Sequence, residues 1–104
     1  MTTLSTPPII VADIKRLCAK EFGVTVEQIE GKSRKKPIVL ARHVAMYLVR
    51  DLTEWSLPLI GRAFGNRDHT TVLAAVVRVP ERCLVDRELI DRIQRIELGL
   101  LRGR

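Results

Sequence analysis

The sequence predicts a small all-α bundle that contains a helix-turn-helix, and three observations support this. Aromatic residues make up only 4% of the 104 residues and hydrophobic residues 46%, which favours one aliphatic core of packed helices over an aromatic-rich β-sandwich. Apolar residues recur every three or four positions in successive segments. Prolines, glycines and capping residues separate those segments, so residues 1–104 are expected to form one domain.

The first helix is expected in "TPPIIVADIKRLCAKEFG", after a loose terminus at residues 1–6. Thr6 can cap this helix, the two prolines that follow suit its first turn, and Gly23 ends it. Its apolar side chains share one face: Ile10, Ile14, Leu17, Cys18 and Phe22. Cys18 and Cys83 stand in apolar patterns without ligand spacing, so both are expected to be buried free thiols.

A basic loop at residues 31–37, "GKSRKKP", follows a very short second helix. Thr25 and Gln28 form a capping box for that helix, and Gly31 ends it. The loop is the densest positive cluster in the chain. A basic loop is often only a solvated connection, but this one directly precedes the most strongly helical segment, so a functional interpretation stays open.

The third helix, "PIVLARHVAMYLVRDL", is apolar on most sides and is therefore expected at the centre of the bundle. Pro37 suits its first turn. Its polar exceptions are Arg42, His43 and Arg50. The expected buried positions are Ile38, Ala41, Val44, Ala45, Tyr47, Leu48, Val49 and Leu52.

The helix-turn-helix is expected at residues 57–79. Ser56 can cap its short first helix, Pro58 suits the first turn, and Gly65 closes the helix. Asp68 can cap the second helix, and Pro80 either ends that helix or starts a new turn. The buried face of the second helix is marked by Val72, Val76 and Val79. In such a unit the second helix enters the DNA major groove with its N-terminal residues against the bases.

A closing amphipathic helix is expected at residues 86–101. Its apolar stripe is expected to cover the core, although it could instead contact an anionic membrane or a protein partner. Trp55, in the loop before the helix-turn-helix, is expected to plug the core. The stripe consists of Leu89, Ile93, Ile96 and Leu100.

Asp68 has two compatible interpretations. As an N-cap, its carboxylate accepts hydrogen bonds from free N–H groups of the first turn. As a base contact, it can accept from the amino group of cytosine, and it is repelled by phosphates unless it meets such a donor. His69 can offer a ring N–H, and Thr70 and Thr71 supply hydroxyl and methyl groups. The outward face continues through Ala74 to Arg78.

The stretch "SLPLIGRAFGNRDHTTVLAA" resembles the signature of the C-terminal DNA-binding domain of the bacterial replication initiator DnaA, and "ARHVAMYLVRDLT" is similar to the long helix of that domain. The resemblance covers residues 31–79 closely and is more specific than a generic helix-turn-helix pattern. It implies an all-helical fold and binding to the DnaA box, a short duplex element resembling TTATCCACA. It also implies some association with acidic phospholipid.

The resemblance also implies roles for individual residues. Arg34 matches an arginine that enters the minor groove, which suits a narrow and strongly negative A·T-rich groove. The major-groove readers are expected to be Asp68, His69, Thr70 and Thr71. The expected phosphate contacts are Lys35, Lys36, Arg42, His43, Arg50, Leu57, Pro58, Arg67 and Arg78.

The chain departs from the family pattern at three positions. His43 stands where glutamine is usual, which could weaken a phosphate contact or make it sensitive to pH. Pro37 shortens or stiffens the end of the basic loop, so Lys35 or Lys36 could substitute for Arg34. Pro80 stands where the family continues the helix, so fewer phosphate contacts are expected beyond it.

A net charge of +6 and a pI of about 10.0 predict a polyanionic partner, and a sequence-independent DNA coat is one alternative. An enzyme is the other, but Asp68 and His69 are adjacent and are expected to point in different directions on a helix. No catalytic motif, cofactor, small-molecule substrate or ATP-binding phosphate loop is recognised.

The chain alone is accordingly expected to bind a DnaA box without starting replication at an origin. It is either an excised domain or a stand-alone relative, and the first residues, "MTTLSTPP", favour a stand-alone protein. A stand-alone protein could compete for boxes or regulate transcription at a different target sequence. With no secretory signal and no spanning segment recognised, a cytoplasmic location is expected.

Overall fold

The computed structural model describes residues 10–102, and within that range it contains helices and no strand. This is the all-α architecture expected from the sequence. The helices are α1 (Val11–Phe22), α2 (Val26–Glu30), α3 (Lys36–Leu52), α4 (Leu57–Ala63), α5 (His69–Cys83) and α6 (Arg87–Arg102).

The capping signals explain most of the helix boundaries. The Thr25–Gln28 capping box is present at the start of α2, and Ser56 Oγ accepts from Leu59 N–H at the start of α4. Gly23 adopts the left-handed conformation (φ 69°) that ends α1. Pro37 lies in the first turn of α3. These short-range predictions are confirmed.

The start of α1 differs from the prediction. Ile10 occupies the N-cap position in an extended conformation and its side chain makes no capping hydrogen bond, so the helix begins at Val11. Thr6, the expected cap, lies outside the described residues, as do both expected first-turn prolines. Since Ile10 now precedes the helix, it is largely exposed instead of forming part of the apolar face.

The core forms around α3, as the all-round apolar pattern predicts. The helix packs against α1, α2, α4 and α5, while α6 closes the other side of α1. Tyr47, Leu52 and Trp55 pack against this core while remaining half-buried. The fully buried α3 side chains are Ala41, Val44, Ala45, Met46, Leu48 and Val49.

Pro80 does not end α5, contrary to the first of the two expectations for that residue. The helix continues through Pro80 to Cys83. Proline lacks the N–H that would bond the carbonyl four residues earlier, so one helical hydrogen bond is lost. The continuation is favoured by packing, because Val79 is buried and Cys83, four positions on, packs against the core.

The expected closing helix is observed as α6. Asp86 caps it by accepting from Leu89 N–H at 3.1 Å. The predicted apolar stripe (Leu89, Ile93, Ile96 and Leu100) is buried. The two thiols are free, as expected, but only Cys18 is fully buried, and burial raises the pKa of Cys18 to about 12.

Candidate nucleic-acid interface

The start of α5 presents four consecutive exposed residues, Asp68 to Thr71. Asp68 is the N-cap, and its Oδ1 accepts from Thr70 N–H at 3.1 Å. This hydrogen bond is the main cause that lowers the pKa of Asp68, and proximity to His69 lowers that pKa further. The carboxylate therefore stays ionised, and the capping interpretation is confirmed.

Asp68 and His69 do not point in different directions, which corrects the sequence-based expectation. His69 Nδ1 lies 3.0 Å from Asp68 Oδ1. The helical-wheel argument fails because Asp68 has the extended backbone of an N-cap and precedes the first helical residue. Both contacts use Oδ1, so Oδ2 of this largely exposed side chain remains as a second acceptor.

This proximity bears on what His69 can offer. Nδ1 faces the Asp68 carboxylate at 3.0 Å, and the His69 side chain is largely exposed. Nε2 and the edge of the ring are therefore the groups expected to meet a base or a thymine methyl.

The basic loop and the start of α5 face each other across a cleft. Arg34, His43 and Thr71 all line this cleft, although they come from the loop, from α3 and from α5. Arg34 and His43 also line the adjoining depression beside Arg78 and Lys36. The structure therefore brings together the residue expected in the minor groove and one expected in the major groove.

His43 lies at the junction of these two depressions. Burial is the largest influence that lowers its pKa, and the positive charges of Arg42, Arg78 and Arg67 lower it further. The imidazole is therefore neutral at physiological pH. It can contact a phosphate as a neutral donor, much as the amide of a glutamine would.

Arg42 lines the cleft but is held by backbone carbonyls. Its side chain is buried and donates to the carbonyls of Ile29, Gln28 and Ser33 at 2.7, 2.9 and 3.0 Å. The sequence shows an arginine on a helix, but it does not show that carbonyls at the end of α2 lie within reach. The structure therefore gives Arg42 a structural contact, and its phosphate contact stays a prediction.

Arg67 is engaged in the same way. Its guanidinium donates to the carbonyls of Phe64, Gly31 and Glu30 and is half-buried. Burial lowers the pKa of Arg67, and both burial and the charge of Arg67 lower the pKa of Arg42. The positive charge of Arg67 still contributes to the cleft, but its hydrogen bonds are directed inward.

The remaining expected phosphate contacts form two groups. Lys35 and Lys36 are exposed at the end of the basic loop. Arg50 is exposed and donates to the Trp55 carbonyl at 2.9 Å, which places it beside the start of α4. At that start only Leu57 can offer a backbone N–H, because Pro58 has none.

Several cleft residues were missed by the sequence-based prediction. Lys32, Ser33 and Asn66 line the cleft beside Arg34. Asn66 has a positive φ of 58°, which asparagine tolerates better than most residues, and this turn chemistry was a usable signal. Arg82 lines the adjoining depression because α5 continues past Pro80, and it also pairs with Asp86.

Two other kinds of site are not seen in the described part of the chain. No group of three metal-ligating side chains occurs among residues 10–102. No helix in that range is both long enough and apolar enough to cross a bilayer. The apolar stripe of α6 is covered by the core, so it is not an open surface for a membrane or partner.

Comparison with known proteins identifies relatives of this domain. The family model described as "Bacterial dnaA protein helix-turn-helix" matches residues 11–79. The chromosomal replication initiator protein DnaA of Thermus thermophilus is 53% identical over 77 residues, which cover 74% of this chain and 18% of that protein. The initiator proteins of Latilactobacillus sakei and Oenococcus oeni are 45% and 43% identical, over 80% and 85% of this chain.

The match is confined to one part of the relatives, because the aligned residues span only about a fifth of their length. It covers α1 to α5 as far as Val79, and so includes both the basic loop and the start of α5. With an all-helical fold and a helix-turn-helix at the expected place, this chain belongs to the bacterial DnaA helix-turn-helix family.

Proposed function

We propose that this domain binds double-stranded DNA at sites resembling the DnaA box, with α5 in the major groove and Arg34 in the adjacent minor groove. One observation supports this above the others: Arg34 of the basic loop and Thr71, the last of the four exposed residues at the start of α5, line one cleft. Such a surface offers both a helix whose side chains can contact bases in the major groove and an arginine that can insert into the minor groove.

Each group at the start of α5 has a chemical task in the proposed complex. Asp68 Oδ2 accepts from the amino group of a cytosine, while Oδ1 holds the helix start and His69. His69 places its ring against a thymine methyl. Thr70 and Thr71 offer hydroxyl groups to bases or phosphates and methyl groups to thymine.

The phosphate contacts hold the helix in register without reading sequence. In the proposed complex they come from Lys35, Lys36, His43 and Arg78 around the cleft, and from Arg50 with the Leu57 N–H beside Pro58 at the start of α4. Arg42 and Arg67 support the loop through their hydrogen bonds to backbone carbonyls. The charge of +6 is consistent with such contacts.

The proposal is tested with a duplex that carries one TTATCCACA site and a scrambled duplex of equal composition, at physiological salt. We expect a preference of about a thousandfold, the low end for specific binders. His69→Ala is expected to reduce that preference by about tenfold, because one base contact is lost. Arg50→Ala is the matched control and is expected to weaken binding to both duplexes equally.

The outcomes separate specific from unspecific binding. Equal affinity of the unchanged protein for both duplexes would reject box recognition and support a sequence-independent coat. Equal losses on both duplexes for His69→Ala would reject the reading role of that residue. Tighter binding to vesicles of anionic lipid than to either duplex would favour a membrane role instead.

The biological role follows from the relatives as a proposal. The matched proteins are named as chromosomal replication initiators, so we infer a role for this domain in replication initiation or its regulation. A regulator of transcription with a different target would select a different consensus from random duplexes. Selection that returns a sequence unrelated to TTATCCACA would favour that second role.

A further inference from the structure

We propose that Arg67, Arg42 and Lys15 form a clamp that fixes the basic loop against the turn of the helix-turn-helix, and so sets the spacing between Arg34 and the start of α5. The inference deepens the proposed function and rests on it for the role of Arg34. It assigns a positioning role to three cations, two of which were expected to contact phosphate and one of which was not singled out from the sequence.

Arg67 connects the basic loop to the turn before α5, the two segments that are expected to face DNA. It stands in the turn directly before Asp68, and its guanidinium reaches the carbonyl of Gly31 at the start of the basic loop. The same guanidinium also donates to Phe64 in its own turn and to Glu30 at the end of α2. One side chain therefore joins segments that are 36 positions apart in sequence.

Arg42 anchors the basic loop to α3. Its Nε and two terminal nitrogens donate to the carbonyls of Ile29, Ser33 and Gln28. Ser33 is the neighbour of Arg34, so this contact fixes the backbone next to the residue expected in the minor groove. Because Arg42 lies on the central helix α3, the loop is tied to the most rigidly packed element of the domain.

Lys15 is the third member of the clamp. Its buried ammonium lies 2.6 Å from a carboxylate oxygen of Glu30 and also donates to the carbonyl of Ala63 at the end of α4. It stands 4.6 Å from the centre of the Phe64 ring. A lysine is rarely buried without such partners, and here Glu30 and Ala63 are the last residues of α2 and α4, directly before the two segments that the clamp joins.

Gly65 supplies independent support, because it shows how closely the two segments approach. Gly65 has φ +80°, and a Cβ atom added to it would lie 2.2 Å from the Glu30 carbonyl oxygen and 2.9 Å from Arg67 Nη1. The turn therefore meets the end of α2 backbone to backbone. Such contact fixes the end of α2, from which the basic loop starts, against the turn.

The first test uses the free protein and needs no DNA. Arg67→Lys keeps the charge but cannot reproduce the fork of hydrogen bonds to separate carbonyls. We expect backbone ¹⁵N relaxation and amide hydrogen exchange to show increased motion at residues 31–35 in this variant, while α6 remains unchanged. Arg62→Lys, at an exposed position on α4, is the matched control and is expected to leave residues 31–35 unchanged.

The second test measures coupling on DNA. We expect Arg67→Lys to weaken binding to the TTATCCACA duplex by about tenfold, and to weaken it much less when Arg34→Ala is already present, because residues that act through one another are not additive. Combined with His69→Ala, the same change is expected to multiply the two separate losses. Gly65→Ala, which would force the turn away from Glu30, is expected to behave as Arg67→Lys does.

The outcomes distinguish this inference from the proposed function. Unchanged motion at residues 31–35, or increased motion spread over α5 and α6 as well, would overturn the clamp whatever the DNA result. Coupling of Arg67 to His69 in place of Arg34 would also overturn it, because Arg67 would then position the helix and not the loop. Increased motion of the loop in Arg67→Lys, together with equal binding of the unchanged protein to both duplexes, would support the clamp and reject box recognition.

Discussion

At the scale of single residues, the start of α5 has one side chain for which we propose two tasks. Asp68 caps the helix through Oδ1, and His69 Nδ1 lies 3.0 Å from the same oxygen. In the proposed complex Oδ2 meets a base. Capping and reading therefore do not compete for the same acceptor. The consequence is that substitutions at Asp68 can separate the stability of the domain from its specificity.

Asp68→Asn is expected to unfold at nearly the same temperature as the unchanged protein, because asparagine caps a helix about as well as aspartate. Its amide brings a donor where the base requires an acceptor, so preference for the matching duplex is expected to fall by about tenfold. Thermal unfolding and binding to matched and scrambled duplexes check both parts. Asp68→Ala serves as the comparison, since it should lose stability and preference together.

His43 is expected to make folding stability depend on pH. The pKa of its folded form lies below the ordinary value of about 6.5, so the unfolded chain binds more protons between those two values. The stabilisation is complete above about pH 6.5 and is lost as pH falls through the folded pKa. Urea unfolding should show that His43→Gln flattens this decline, and an unchanged decline would contradict the assignment.

At the scale of helices, local signals predict much of the fold. The capping box of α2, the caps Ser56 and Asp68 and the buried stripe of α6 were all readable from the sequence, because each depends on residues within one or two turns. The all-round apolar pattern likewise placed α3 at the centre. A pattern of this kind predicts which face of a helix is buried, but it does not predict which other helix packs against that face.

The contacts that could not be predicted have a common physical origin. Arg42, Arg67 and Lys15 are held by carbonyls that lie up to 48 positions away along the chain, so their residue type alone favours a phosphate or a solvated role. Pro80 is a second case, because local propensity ends the helix there whereas packing of Val79 and Cys83 continues it. Tertiary contacts decided each of these positions.

Pro80→Ala is expected to stabilise the domain by about 1–3 kcal/mol, because proline inside a helix costs about 3 kcal/mol relative to alanine, partly offset by its stiffening of the unfolded chain. Pro80 is exposed, so no core contact is lost. Chemical unfolding measures the gain, and preference for the matching duplex should not change. A less stable variant would show that the proline is required for the geometry of α5.

At the scale of the whole molecule, basic side chains gather around the cleft. The basic loop, Arg67 and Arg78 line one cleft system, whereas acidic residues of α6 pair with arginines of that helix. Affinity for any duplex is therefore expected to arise mainly at the cleft. The slope of the binding constant against salt concentration is expected to reflect the number of phosphates contacted.

The logarithm of the DNA-binding constant should fall linearly with the logarithm of salt concentration, by about 0.9 for each phosphate contacted. Arg78→Ala should reduce that slope by about one while leaving the ratio between matched and scrambled duplexes unchanged. Binding isotherms over a range of salt concentrations give both numbers. Arg87→Ala on α6 is the control, and an equal reduction there would place the phosphate contacts elsewhere.

The backbone contact between Gly65 and Glu30 has a consequence for how such a domain can change its target. The distance between the two DNA-facing segments is set by main chain and by inward-facing cations, and not by the side chains that would meet the bases. Residues 68–71 can therefore be exchanged as a set while the frame that presents them stays the same. A library randomised at those positions alone should yield proteins that recognise new duplexes, each with an unaltered requirement for the A·T-rich flank that Arg34 is proposed to contact.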